Sequence, residues 1–259
     1  MLKGLWKLSW IETKVFVREP MGVVGSLVVP VIVFLAFGRM FGAGVPGADQ
    51  LTATLGASPG ASPSASPFNV TILAALLIAV GSVQSLIAII AIYREGGILK
   101  RLRATPLSPV TILGAHVVVK LLFAVASLAL LVLAGRRVFP GAMEVNLLSF
   151  TAALMLGTLS ILTLGFVLAS LVPTARFAQP LGALILYPMI ALSGLFFPVA
   201  VLPPWLRGVA YMLPTTHAVA LLQGVWDGSG WAAHWEDAVM LVLLGVAFSV
   251  LSTKVFRWE

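Results

Sequence analysis

Few residues of this chain could take part in chemistry, and their spacing does not assemble a reactive centre. Hydrolytic catalysis needs paired carboxylates or a nucleophile with a histidine and an acid, and no such arrangement stands out in the sequence. No Gly-x-x-x-x-Gly-Lys-Ser/Thr phosphate loop is present to bind ATP, and the absence of cysteine excludes disulfides and thiolate metal sites. We therefore expect no catalytic, cofactor-binding or metal-binding residue on this chain. The acidic residues are Glu12, Glu19, Asp49, Glu95, Glu144, Asp227, Glu236, Asp237 and Glu259.

The composition is that of a protein embedded in lipid. Of the 259 residues, 60% are hydrophobic and only 10% are charged, whereas a soluble domain has about 25% charged residues. The net charge of +7 could suggest nucleic-acid binding, but the basic residues stand at the ends of long apolar blocks, so we reject that interpretation. The sequence predicts an all-α membrane protein.

Six apolar segments are long enough to cross a membrane, since a spanning helix needs about 20 apolar residues. The third contains His116 and Lys120, which we place near its cytoplasmic end, where a lysine can extend to the lipid headgroups. The first follows a charged stretch that includes two acids, so we interpret it as a retained helix and not as a signal peptide. The predicted spans cover residues 21–41, 70–93, 112–135, 147–172, 177–201 and 238–256.

The distribution of lysine and arginine predicts that both termini are cytoplasmic. With the N-terminus inside, twelve of the 16 basic residues lie on the cytoplasmic side and four lie outside, which agrees with the positive-inside rule. The four outside are Arg39, Arg136, Arg137 and Arg207.

Two unusual segments flank the first predicted span. Residues 1–20 place Trp6 and Trp10 on one side at helical spacing, which favours an amphipathic helix in the headgroup plane. A basic juxtamembrane tail is the alternative interpretation. The external loop at 42–68 repeats Ala-Ser-Pro, a composition that cannot build a core and predicts disorder.

The most informative loop runs from Arg94 to Pro109 and is short and strongly basic. Gly96 and Gly97 permit a sharp turn, and residues 98–104 could form two helical turns before the prolines end them. Positive charge alone would hold such a loop in the cytoplasm, and that remains a sufficient explanation of its composition. The shaped entry and exit favour a surface on which a partner docks.

A second irregular segment, at 198–226, is apolar but is broken by prolines and cannot be one spanning helix. Short re-entrant helices that dip into the outer leaflet fit it better, with irregular backbone buried in protein or lining a cavity. We interpret His217 as a packed or interfacial histidine, because no second ligand stands at metal-binding spacing. The residues that define this external segment are Pro198, Pro203, Pro204, Trp205 and Pro214.

None of the acids lies inside a predicted span, so the sequence offers no obvious group for coupling transport to ions. A translocator without its own energy site needs one on a partner or conducts passively. An ion-coupled secondary transporter or a passive channel is therefore the alternative to a partner-driven one. An intramembrane enzyme or scaffold would need polar residues that converge at one depth, and the sequence places none there.

These features resemble the permease subunit of type-2 ATP-binding-cassette exporters, a family that includes daunorubicin-resistance efflux permeases and polysaccharide and lipid exporters. The resemblance covers nearly the whole chain and includes the six-span layout. Its most specific part is LSGLFFPVAVLPPWLRGVAYMLPTTHAV at 192–219. The other parts are LKRLRATPLSP at 99–109 and the stretch that runs through Arg18, Glu19 and Pro20 into FLAFGRMFG at 34–42. The low-complexity external loop departs from the family pattern.

The resemblance implies that two copies form one pathway and that each docks a separate ATPase subunit, which would hold the ATP and Mg²⁺. It implies a prokaryotic plasma-membrane protein that exports amphipathic drugs, lipids or glycans, with the second and fifth spans facing each other across the dimer axis. The ATPase-coupling loop would comprise Arg94, Glu95, Gly96, Gly97, Lys100, Arg101, Arg103 and Pro106. The candidates to line the pathway are Gln84, Met189, Ser193, Phe196 and Phe197, although such side chains in helices more often pack than contact substrate.

Overall fold

The computed structural model describes residues 2–18, 20–41, 70–97, 109–138, 146–172 and 174–255. Within these ranges the chain is built of helices and turns, without a strand, so the predicted all-α class is confirmed. The helices are α1 (Leu2–Arg18), α2 (Pro20–Val23), α3 (Val29–Phe41), α4 (Val70–Glu95), α5 (Pro109–Val138), α6 (Leu147–Leu171), α7 (Ala175–Leu192), α8 (Pro204–Tyr211), α9 (Pro214–Trp226), α10 (Gly230–Ala233) and α11 (Trp235–Val255).

Five helices, α4, α5, α6, α7 and α11, are long and apolar enough to cross a membrane. The first predicted span corresponds to a shorter apolar stretch, Val24–Arg39. The chain is therefore a multi-pass membrane protein, and the total of six spans stays a prediction. The predicted external loop at 42–68 lies outside the described residues.

A wide helical turn interrupts the first predicted span. Val24–Val28 is π-helical, and the N–H of Val29 donates to the carbonyl of Val24. Pro30 follows directly. A proline has no N–H, and in an α-helix its ring clashes with the carbonyl four residues earlier. The wider turn relieves that clash, which explains why the helix departs from α geometry here.

Helix α6 is the most buried of the long helices and packs against α4, α5, α9 and α11. Small residues let these helices approach closely. A β-carbon added at Gly157 would lie 3.0 Å from Cβ of Ala218 in α9, and one added at Gly165 would lie 2.8 Å from Val83 in α4. Membrane helices commonly associate through such small residues, because lipid offers little hydrophobic drive for helix pairing.

The fifth predicted span, 177–201, extends nine residues beyond the helix in the structure, which ends at Leu192. The backbone turns there because Gly194 adopts a positive φ of 87°, a conformation that glycine tolerates best. The Ser193 hydroxyl donates to the carbonyl of Ile190 at 2.6 Å and satisfies part of the helix end. The other long helices agree with the predicted spans to within a few residues.

The segment after this turn is broken into short helices, as the prolines predict. A 3₁₀ turn, Val199–Val201, precedes α8 and α9. Pro204 and Pro214 stand at the first positions of these two helices, where a missing N–H costs no helical hydrogen bond. Helix α9 is almost wholly buried and packs on α6 and α11, whereas α8 is largely exposed.

Candidate functional site

Three consecutive residues at the end of α4 each bond to a different part of the chain, and we call them the Tyr93–Glu95 junction. The Tyr93 hydroxyl donates to Oε1 of Glu12 in α1 at 3.0 Å. The Arg94 guanidinium donates to the carbonyl of Val172, at the end of α6, at 2.8 Å. Glu95 accepts the backbone N–H of Ala175, the first residue of α7, at 3.0 Å. The end of α4 is therefore tied to α1, α6 and α7 at once.

The Glu95 contact has a clear electrostatic basis. Ala175 begins α7, and the first N–H groups of a helix lack partners within the helix. They also carry the partial positive charge of the helix dipole, so a carboxylate at this position satisfies a donor and interacts favourably with the dipole. This contact fixes the start of α7 against the end of α4.

Helix α1 docks on the bundle through one face. Its Glu12 contacts Tyr93 through one carboxylate oxygen, and the other lies 3.7 Å from Nδ1 of His116 in α5. The rings of Tyr93 and His116 meet edge to face with centroids 5.5 Å apart. The opposite side of α1 exposes Trp6 and Trp10, which agrees with the predicted amphipathic helix. Its location in the headgroup plane stays a prediction.

Lys120 does not extend to the headgroups as expected, because it is only 3% exposed. Its amino group donates to the Ser85 hydroxyl at 2.6 Å and lies 4.2 Å from the centre of the Phe16 ring. Phe16 in turn packs on Phe123 at 4.4 Å. A hydroxyl acceptor and an aromatic face together replace the water that a buried ammonium group loses.

Among the predicted coupling residues, the structure gives Arg94 and Glu95 partners within their own chain. Gly96 and Gly97 form the expected turn, and Gly97 has a positive φ of 65°. The remaining predicted residues lie outside the described residues, and the coupling role of the whole set stays a prediction. Those outside are Lys100, Arg101, Arg103 and Pro106.

The predicted pathway residues divide into buried and exposed groups. The side-chain amide of Gln84 in α4 occupies the space that a β-carbon would need at Gly182 in α7. The second and fifth predicted spans therefore pack together within one chain. Met189 and Ser193 are buried, whereas Phe196 and Phe197 are exposed where α7 ends. Whether any of them lines a pathway stays a prediction.

Sequence reasoning missed a polar cluster at the opposite end of the bundle, formed by His217, Asp237 and His234. The Nδ1 atom of His217 lies 2.8 Å from one carboxylate oxygen of Asp237, and Nδ1 of His234 lies 3.1 Å from the other. The Nε2 atom of His217 lies 2.9 Å from the carbonyl oxygen of Tyr211. Within the described part of the chain no group of side chains has the arrangement of a metal site.

A glycine makes this cluster possible. The His234 ring lies directly against Gly224 of α9, where an added β-carbon would stand 2.0 Å from a ring carbon. His217 and Asp237 are 20 residues apart in the sequence, so no short motif contains both of them. The signal that could have found them is the acid pair at 236–237 close to the only two histidines outside α5.

The external segment keeps its predicted prolines at helix starts and turns. Trp205, on α8, is 71% exposed. Arg207 donates to the carbonyl oxygens of Ala200 and Leu202, which holds α8 against the preceding 3₁₀ turn. That the segment re-enters the membrane stays a prediction.

The family of the chain follows from comparison with known proteins. A model of the ABC-2 type transporter family matches residues 3–225, from the second residue of α1 to the last but one of α9. The chain belongs to the ABC-2 type transporter family.

Two curated proteins are similar to this chain in sequence. The inner membrane transport permease YhhJ of Escherichia coli (strain K12) is 26% identical over 191 residues, which are 73% of this chain and 49% of the relative. The protein of the same name from Shigella flexneri matches to the same extent. The chain therefore spans about half the length of the curated relatives it matches.

Proposed function

We propose that this chain is the transmembrane subunit of an ATP-driven exporter and that it takes its energy from a separate ABC-type ATPase subunit. The observation that carries the proposal is the Tyr93–Glu95 junction, which ties α1, α4, α6 and α7 together at the start of the basic loop at 94–109. ATP and Mg²⁺ bind to the partner, since this chain has no phosphate loop.

The Tyr93–Glu95 junction is suited to transmit a force from the basic loop to the membrane helices. Force on the basic loop reaches α4 directly, and the bonds of Arg94 and Glu95 pass it to the turn between α6 and α7. The bond of Tyr93 passes it to α1. Because packed helices move as rigid bodies between discrete arrangements, such a push biases the membrane domain between inward- and outward-facing states.

Two copies of the chain form the pathway in this proposal, in the plasma membrane of a prokaryote with both termini in the cytoplasm. The buried amide oxygen of Gln84, at the contact between α4 and α7, and the exposed Phe196 and Phe197 are its candidate contacts with cargo. The mostly apolar surroundings suit an amphipathic drug, a lipid or a glycan-bearing lipid better than an ion.

The test is co-purification and transport. The full chain is co-expressed with a phosphate-loop ATPase encoded beside its gene, and the complex is reconstituted in lipid vesicles. We expect Arg101→Glu with Arg103→Glu to abolish binding of the ATPase and ATP-driven efflux. The matched control is Arg136→Glu with Arg137→Glu, the same charge change at the end of α5, which should retain both. Retention of binding and efflux by the first variant would contradict the docking role of the loop.

A second candidate is coupling to protons, which is favoured by the contact of Glu12 with His116 and Tyr93 between α1, α4 and α5. The same vesicles distinguish the two functions. Efflux that follows a pH gradient without ATP would support proton coupling, whereas efflux that requires ATP at constant pH supports the exporter.

A further inference from the structure

His217 is unusual because both of its ring nitrogens face hydrogen-bond acceptors. The carbonyl oxygen of Tyr211, 2.9 Å from Nε2, can only accept a hydrogen bond, so Nε2 must carry a hydrogen. The carboxylate of Asp237, 2.8 Å from Nδ1, is also an acceptor when it is ionised. The ring meets both partners as a donor only in the doubly protonated, cationic form.

The surroundings favour this form. Burial by itself lowers the pKa of His217, but the hydrogen bonds to Asp237 and Tyr211 and the charge of Asp237 outweigh it and raise the pKa above that of a free histidine. The second carboxylate oxygen of Asp237 contacts His234, and this contact fixes the orientation of the carboxylate toward His217.

Within the described part of the chain, Asp237 is the charged group whose field acts on the His217 ring. Helix α6 carries no titratable side chain, and those of α4 lie at its far end, in the Tyr93–Glu95 junction. Arg207 of α8 is directed to backbone carbonyls of the preceding turn. The remaining titratable groups on the elements around α9 are Arg176 and Tyr187 of α7, Tyr211 of α8, Asp227 after α9, His234 before α11, and Glu236 and Lys254 of α11.

The three partners belong to three different helices, α8, α9 and α11. His217 lies in the first turn of α9, Tyr211 ends α8, and Asp237 lies in the first turn of α11. We propose that His217 is a proton-dependent latch, which holds α9 against α8 and α11 while its ring carries two protons and releases α9 when one proton leaves.

The direction of the pH dependence follows from this arrangement. A histidine whose pKa is raised on folding contributes stability that is fully present below its unfolded pKa of about 6.5. That contribution is lost as the pH rises through the higher pKa of the folded protein, because the neutral ring can donate to only one of its two acceptors. The latch is therefore closed below about pH 6.5 and opens only as the pH rises through the raised pKa of the folded protein.

The first test reads the proton directly. The full chain has only three histidines, so labelling them with ¹⁵N gives three pairs of ring signals. His217→Gln assigns the pair of interest, and if that variant fails to fold, His116→Gln and His234→Gln assign it by elimination. We expect both nitrogens of His217 to be protonated in mild acid and one proton to leave only above the pH at which a free histidine loses it. Loss of that proton at or below the pH of a free histidine would overturn the proposal.

The second test asks whether the proton holds the helix. Hydrogen exchange of residues 214–226 is measured across pH in the full chain, with the amides of α6 as the reference for the intrinsic exchange rate. We expect protection of α9 to fall on alkalinisation, by about tenfold for each unit by which the pKa is raised. His234→Gln should keep this dependence and His217→Gln should lose it. Protection that is independent of pH in the full chain, or pH-dependent in His217→Gln, would overturn the latch.

Discussion

The two ends of the bundle are held by different kinds of polar contact. At the Tyr93–Glu95 junction, the bonded residues are 81, 78 and 80 positions apart in the sequence. At the His217 cluster, the corresponding separations are 20, 6 and 3. The junction forms only when distant helices have assembled, whereas the cluster closes a short segment on itself. We therefore expect the cluster to open while the rest of the bundle stays packed, and the junction to open only when the bundle unfolds.

The largest effect should come from Asp237→Asn, which removes the charge that His217 faces at 2.8 Å. We expect a loss of about 3 kcal/mol of local stability, because the His217 ring loses its charged hydrogen-bond partner. The measurement is hydrogen exchange of α9, and α4 should be unaffected. Asp227→Asn, the same change at the exposed end of α9, is the control. An equal loss of protection in α4 would show that the cluster is not a local unit.

Gly224→Ala tests the packing of the same cluster without changing its charges. The new methyl group would occupy the place of the His234 ring, and overpacking costs about 1 to 3 kcal/mol. We expect the ring to move, its bond to Asp237 to be lost, and α9 to exchange faster. Gly208→Ala, which meets no atom within 4 Å, should leave exchange unchanged. If both variants behave alike, helix propensity and not ring contact explains the result.

At the other end, Tyr93→Phe removes one hydroxyl from the junction. We expect it to lower the free energy of unfolding of the whole chain by about 1 kcal/mol, because the bond to Glu12 joins distant helices. Unfolding of the purified protein in a denaturing detergent measures the effect. Tyr187→Phe makes the same change at an exposed position of α7 and should be neutral. If Tyr93→Phe reduces the protection of α1 alone and leaves global unfolding unchanged, the junction is as local as the His217 cluster and the contrast between the two ends is wrong.

The smallest effect should come from Glu95→Gln, which keeps an acceptor for Ala175 but removes the charge near the start of α7. Charges at helix ends contribute about 0.3 to 1 kcal/mol. Global unfolding should therefore shift only slightly, while ATP-driven efflux falls and binding of the ATPase is retained. Glu236→Gln, which removes a carboxylate from the first turn of α11, should leave efflux intact. Loss of ATPase binding in Glu95→Gln would place Glu95 in the docking surface itself.

Much of the architecture could be predicted from the sequence, because apolar length and proline position act locally. The five long helices, the N-terminal helix and the broken segment around Pro204 and Pro214 all follow from such local signals. The early end of α7 was missed because the hydrophobic run continues past Gly194, whose backbone conformation overrides it.

The polar contacts could not be predicted in the same way. Glu12 and Tyr93 meet because α1 lies against α4 and α5, and no local pattern encodes that packing. Arg94 was predicted to belong to the basic coupling loop, and the sequence did not indicate that it also binds a backbone carbonyl of its own chain. His217 was interpreted as a packed or interfacial histidine because no second ligand stands at metal-binding spacing, and its partner Asp237 lies 20 residues further along the chain.

The π-helical turn at Val24–Val28 has a consequence for how this chain can change in length. Such a turn accommodates one residue more than the α-helical winding around it. Each residue of an α-helix rotates the chain by about 100°, so a deletion elsewhere in a span would turn one half of its surface away from its neighbours. A deletion at 24–28 would only restore α geometry, provided that Pro30 is replaced as well. The first predicted span thus contains a position where a single residue can be removed, once Pro30 is replaced, while both halves stay in register.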